Sequence, residues 1–352
     1  MKVSFRLPLR PADWRARSFN WSALQFWNNP MLTKELRSRM RGWRSPMTVA
    51  AYLLVLGGVG CAYYLLQSYQ ARYSGLGPQI GLQLFAVLSV FQLLLVAFIT
   101  PALTVGAISG ERERQTFDLL LCTRLTPWAI VFGKLFSGTA YSLLLLVAGL
   151  PLLSIVFLLG GISLSNLALT FLVLAMNAIT FAVIGLFCSA LFRRTQVSTI
   201  VAYGAVLFLL IGASIVASFV QSWRISRGYG GPPLPSVLQY LNPLTALSSA
   251  IMGKYMTNFT VGIPYLPVSL PQLYRPTLKF LASSGVKVGA FQAWLITAEP
   301  WLIQFVFEAI LVLILLVLTV ELIKPVRRSP WSGVRRAFAR LPRRFRPKGA
   351  AA

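Results

Sequence analysis

The 352-residue chain has no histidine, three cysteines and only eight acidic residues. Without histidine, the commonest metal ligand and general base is missing, and Ser-His-Asp and Cys-His nucleophile arrangements are excluded. Cys61 and Cys188 lie inside apolar runs and Cys122 in a charged stretch, which gives neither a disulfide framework nor metal-ligand spacing. Glu299, Glu308 and Glu321 are the acids near the last apolar run, and their spacing forms no paired-carboxylate constellation. Gly133-Lys134 and Gly253-Lys254 lack the glycine spacing and the following Ser or Thr of a phosphate-binding loop. The chain is therefore not expected to be an enzyme, to bind a cofactor or metal, or to hydrolyse ATP unaided. A cleavable signal peptide is not expected either, because the first 45 residues are basic and aromatic without a continuous apolar core.

What the chain does have is apolar sequence: 56% of residues are hydrophobic and only 12% are charged, outside the range of soluble domains. Six runs are long enough to cross a hydrocarbon core, which needs roughly 20 helical residues. They cover 46–66, 80–108, 135–159, 167–192, 197–221 and 301–323. The runs are continuous rather than alternating, so helices are expected and not a barrel. The fold class is all-α and polytopic, with three regions: a segment 1–45, a six-helix domain 46–323 and a tail 324–352.

The net charge of +25 invites a nucleic-acid reading. Placement argues against nucleic acid, because the basic residues sit beside spans. Ten precede the first run, ten follow the last, four lie in 110–134, and two are Arg193 and Arg194. By the positive-inside rule both termini are cytoplasmic, in a multi-pass protein of the plasma (inner) membrane. Residues 222–300 then form a large outer loop. Within it, Asn242-Pro243 interrupts an apolar piece expected to make one or two short helices dipping into the outer leaflet, and 258–290 reads as irregular.

Between the second and third runs lies Gly110 to Lys134, GERERQTFDLLLCTRLTPWAIVFGK, which holds three of the eight acids. So polar a stretch cannot lie in lipid. Phe117, Leu120 and Leu121 share a helical face, Arg114 and Asp118 form an i,i+4 pair, and Thr126-Pro127 reads as an N-cap and first helical residue. A folded, charged knuckle suits docking of a soluble partner; charges that only fix topology explain it as well. Upstream, Asn29-Pro30 opens an amphipathic helix with Leu32, Leu36, Met40 and Trp43 on one face and Lys34, Arg37, Arg41 and Arg44 on another. That pattern suits the membrane interface. The basic, aromatic segments at both ends suit anionic lipid headgroups, although a flexible basic tail fits residues 1–28 equally.

Two intramembrane features stand out. Glu308 lies inside the sixth run with Gln304 one turn earlier. A carboxylate there marks a possible pathway or relay site; alternatively it faces the bundle, protonated or bonded to a residue such as Asn177. Gly106 and Gly110 match a close-packing spacing, and hinge or chance accounts for them as well.

These stretches resemble the permease subunits of ABC-2 type transporters, the six-span partners of separate ATP-binding cassette proteins. NPMLTKELRSRMRG (29–42) is similar to that family's interfacial helix, and ISGERERQTFDLLLCTRLTPWAIVFGK (108–134) to its first cytoplasmic loop. LFRRTQVSTIVAY (191–203) and YLNPLTAL (240–247) resemble its second turn and outer segment. The resemblance implies a coupling helix seated on an ATPase, through Glu111, Arg112, Glu113 and Arg114 for charge and Phe117, Leu120 and Leu121 for apolar contact. Lys34, Glu35 and Arg37 would brace the same partner, which carries the ATP. A second permease copy or a paralogue would complete an export path. Two other functions compete: a membrane scaffold without transport, and a membrane-embedded lipid-modifying enzyme using the 222–300 loop.

Overall fold

The computed structural model describes residues 43–74, 79–117, 126–158, 160, 162–227, 240–252, 260–263, 266–269 and 299–324. The amphipathic helix with Lys34, Glu35 and Arg37, the residues Asp118, Leu120 and Leu121, most of 222–300 and the basic tail lie outside them. The helices are α1 (Arg44–Ser74), α2 (Gln79–Thr104), α3 (Gly106–Glu113), α4 (Pro127–Leu158), α5 (Leu164–Leu191) and α6 (Thr195–Leu207). A π-helical turn at Phe208–Gly212 leads into α7 (Ala213–Ser226), followed by α8 (Pro243–Met252) and α9 (Pro300–Ile323). A hairpin of β1 (Thr260–Ile263) and β2 (Leu266–Ser269), in register Thr260 to Ser269, occupies part of the stretch expected to be irregular.

Six helical stretches are long and apolar enough to cross a membrane, as the six runs require: Ser45–Tyr69, Gly81–Glu113, Pro127–Leu158, Leu164–Leu191, Thr195–Val216 and Pro300–Ile323. Two boundaries differ from expectation. The second helical stretch continues through the charged run to Glu113. The third begins at Pro127, because the Thr126-Pro127 start feeds directly into the span instead of a separate helix. Thr126 Oγ1 accepts the Ala129 N–H at 3.3 Å, as an N-cap should.

α5 is the central element and packs on α2, α3, α4, α6, α8 and α9. Its contact faces are made of small residues, with Ala178, Ala182, Gly185 and Ser189 all buried at helical spacing. Small residues let helix backbones approach closely where there is no hydrophobic drive to associate. Thr104 of α2 uses this space: it fills a notch between Gly138 of α4 and Gly185 of α5. A Cβ on Gly138 would come within 2.5 Å of Thr104 Cγ2, and one on Gly185 would meet Thr104 Oγ1 and stand 3.3 Å from the Pro101 Cα. The expected Gly106 and Gly110 pair has no such role, since a Cβ on Gly110 would meet nothing within 4 Å. Leu56, Phe85, Leu93, Leu146, Leu174 and Phe181 fill the core between α1, α2, α4 and α5. α6 and α9 turn large side chains outward, among them Ile200, Leu207, Leu313 and Ile314, as hydrocarbon permits.

Asn242 ties the interrupted apolar piece into the bundle. Its Nδ2 donates to the Leu210 carbonyl inside the π-helical turn at 2.8 Å and to Ser214 Oγ, while its Oδ1 accepts the Leu244 N–H at 2.8 Å. One side chain thus satisfies a carbonyl in the irregular stretch of α6–α7 and starts α8, in keeping with the need to bury and satisfy irregular backbone at membrane depth. α8 packs on α5 and α9 and is too short to be a seventh span.

The notch yields a test. Gly185→Ala should destabilise the detergent-solubilised protein by about 1–3 kcal/mol, the usual cost of overpacking. Adding Thr104→Ala should recover part of that loss in the same thermal-unfolding measurement, with the contact to the Pro101 backbone remaining.

Candidate functional site: the α3 knuckle

α3 carries the charged run, and its charges are mostly spent inside the protein. Glu111 Oε1 meets Lys134 Nζ of α4 at 2.7 Å, with Lys134 only 3% exposed. Arg112 Nη1 donates to the Ala190 carbonyl at 2.7 Å, and its guanidinium stands over the Phe117 ring at 5.0 Å. Glu113 accepts the Thr195 N–H at 2.7 Å and the Thr195 hydroxyl at 2.9 Å. Phe117 itself is half-buried and packs against the cluster of Ile108, Val131, Leu135 and Leu186.

These bonds have a common logic, because a helix end leaves backbone groups without partners. Val105, the N-cap residue of α3, has no side chain able to accept a hydrogen bond. Ser189 of α5 replaces it, accepting the Ile108 and Ser109 N–H groups at 2.9 Å each. Ala190 is in the last turn of α5, where Arg112 supplies both a donor and a positive charge for the carbonyl end of the helix. Arg194, the N-cap of α6, makes no side-chain cap bond, and the Glu113 carboxylate takes that place at the positive end of α6. Three helix ends are therefore capped from neighbouring helices.

α3 ends sharply. Gln115 is left-handed at φ +58°; the Gln115 N–H bonds the Arg112 carbonyl at 3.1 Å, and the Thr116 N–H bonds the Glu111 carbonyl at 3.0 Å. This is a Schellman turn with glutamine where glycine is usual. It turns the chain so that Arg114, Gln115 and Thr116 stand exposed, on the same end of the bundle as Arg193 and Arg194.

The residues singled out from sequence thus fall into groups. Glu111, Arg112 and Glu113 are brought together on α3 and directed at neighbouring helices, Phe117 packs beneath Arg112, and Arg114 is exposed. Ser189, Thr195 and Lys134 were not singled out for this role. The available signal was a pair of short hydroxylated residues flanking Arg193-Arg194 at the end of an apolar run, and a lone lysine opening another. Glu308 is 4% exposed and lies on the α5 side of α9. Its partners are Gln304 Nε2 at 2.7 Å and Thr180 Oγ1 at 3.2 Å. Asn177, expected as a partner, donates to its own helix at the Val173 carbonyl; Thr180 lies about one turn further along α5 and makes the contact.

A bundle of six apolar helices around a small-residue centre, with one charged end locked by cross-helix caps, defines a polytopic membrane protein. The family model described as ABC-2 family transporter protein matches residues 30–320, and the chain belongs to that family. No match to a curated protein accompanies it. The chain is accordingly a multi-pass membrane protein, a permease component of an ABC transporter and not itself a catalytic enzyme. Permeases of this family generally pair with an ATP-binding cassette ATPase.

Two predictions separate the internal role of α3 from a purely external one. In the isolated chain, Glu111→Ala should lower the thermal-unfolding midpoint by removing the carboxylate that faces the buried Lys134 ammonium. Glu111→Leu with Lys134→Met should restore most of that stability in thermal unfolding. Gln115→Gly should raise stability by about 1 kcal/mol, since glycine adopts the left-handed turn without steric cost.

Proposed function

We propose that this chain is the membrane half of an ATP-driven exporter in the plasma membrane, working with a second permease copy or a paralogue and with a separate ATPase that carries the ATP. The observation that carries this reading is the α3 knuckle: its base is fixed to α4, α5 and α6 by Glu111, Arg112 and Glu113, while Arg114, Gln115 and Thr116 remain exposed. A contact made at the tip is passed to three spans without an intervening flexible joint.

In this reading the basic end is cytoplasmic, in accord with the lysine and arginine distribution. The ATPase seats on Arg114 and the adjoining turn, with Leu120 and Leu121 adding apolar contact and Phe117 serving the base. Lys34, Glu35 and Arg37 brace the same partner, and the basic termini hold anionic headgroups. The substrate path runs between permease copies, along apolar faces that each chain leaves uncovered. The outward direction rests on the family resemblance.

The test is affinity capture of the tagged chain in mild detergent, from cells expressing the neighbouring genes. The wild type should recover an ATPase with a phosphate-binding loop. Arg114→Glu should reduce that recovery tenfold or more, since like charge across an interface costs several kcal/mol. Glu113→Ala should still recover the ATPase but weaken the permease's effect on its hydrolysis rate. Wild type recovered without any ATPase would sink the proposal and favour a scaffold.

A further inference from the structure

The Glu308 cluster has no place in coupling through α3. It is buried between α9 and α5, away from the exposed faces of α9 that carry Phe305, Val306 and Ile310. Glu308 Oε1 accepts from Gln304 Nε2, and Oε2 lies 3.2 Å from Thr180 Oγ1. The Thr180 hydroxyl also lies 3.0 Å from the Met176 carbonyl of its own helix. A hydroxyl has one proton and two lone pairs. If Thr180 gives its proton to the Met176 carbonyl, the bond to Glu308 must be donated by the carboxyl.

Charge points the same way. α5 carries no charged residue, and its titratable Cys188 is about two turns from Thr180. α8 has no titratable group. α4 offers Tyr141 and Lys134, and Lys134 is paired with Glu111. On α9 itself, Glu321 is exposed and pairs with Lys324. No cation among the described residues of these elements is paired with Glu308, and an isolated buried carboxylate is costly enough that such a group neutralises instead. Two further buried acceptors, Gln304 Oε1 and Asn177 Oδ1, have no donor among the described residues. The seam is short of protons to share.

We infer that Glu308 is a proton-binding site that latches α9 to α5: with the proton bound the carboxyl donates to Thr180, and losing it to water separates the two helices. The ligand is a proton, and the latch acts whether or not an ATPase is attached. On deprotonation the O–H bond of the carboxyl breaks and the proton passes to water entering the opened seam. The carboxylate is then hydrated instead of buried unpaired.

The experiment uses the full chain in phosphatidylcholine vesicles, compared with Glu308→Gln, whose amide donates to Thr180 at every pH. At neutral pH the infrared difference between the two should contain the carbonyl stretch of a protonated carboxyl, fading as pH rises. Hydrogen exchange of the α9 backbone, taken relative to Glu308→Gln at the same pH, should accelerate about tenfold per pH unit once that band fades, the slope of one linked proton. A difference spectrum with only carboxylate bands at neutral pH would overturn the inference, as would equal α9 exchange in both proteins at every pH. Should Glu308→Gln fail to assemble, Glu308→Asp gives the comparison. It should shift the carboxyl band, and the absence of any such band in either protein counts against the site.

Discussion

The architecture depends on helix ends that are completed by other helices. An isolated helix with Val105 or Arg194 at its N-cap position would leave backbone donors open. Here the acceptors come from Ser189 and Glu113, and Arg112 serves the last turn of α5. These bonds are short-range and directional, unlike the apolar contacts along the spans. α3 cannot rotate or withdraw without exposing N–H and C=O groups on three helices at once. Where those groups are buried, as at Ser189, water offers no ready replacement, and that cost holds α3 against α5.

The same bonds divide labour within one short segment. Side chains at Glu111, Arg112, Glu113 and Phe117 hold the knuckle in place, and the left-handed turn at Gln115 sets its tip facing outward. The basic end has its own apolar cluster, with Ile108, Val131, Leu186 and Val320 packed apart from the main core. That cluster lies beneath the capped ends, so the knuckle rests on packed side chains from α4, α5 and α9. The opposite end is organised differently: Asn242 anchors α8 to the π-helical turn. One end is stiffened by charged side chains that cap neighbouring helices, and at the other neutral amides, Asn242 and Asn166, hold α8 in place.

Much of the fold was legible in the sequence because hydrocarbon imposes a length rule that about twenty apolar residues satisfy. The start at Thr126-Pro127 and the break at Asn242-Pro243 could be read because N-cap and proline signals act locally. Where the α3 charges go could not be read. Glu111, Arg112 and Glu113 find partners 23 to 82 residues away, and helical periodicity gives faces but not neighbours. A run of alternating charge looks the same whether it meets solvent, a partner or the ends of adjacent helices. Glu308 shows the limit at finer scale: a buried acid needed a polar partner on α5, and Asn177 and Thr180 differ by less than one helical turn. The close-packed glycines were missed for a related reason, since Gly138 and Gly185 face a threonine on a third helix, which no spacing within their own helices reveals.

Thr104 in its glycine notch fixes the axial register of α2 against α4 and α5, because its side chain occupies the space that a Cβ on Gly138 or Gly185 would take. A slide of α2 by one residue, about 1.5 Å, would carry the threonine out of that space and against bulkier neighbours. A single small polar side chain therefore does for three helices what a screw thread does for a bolt: it allows one depth of engagement.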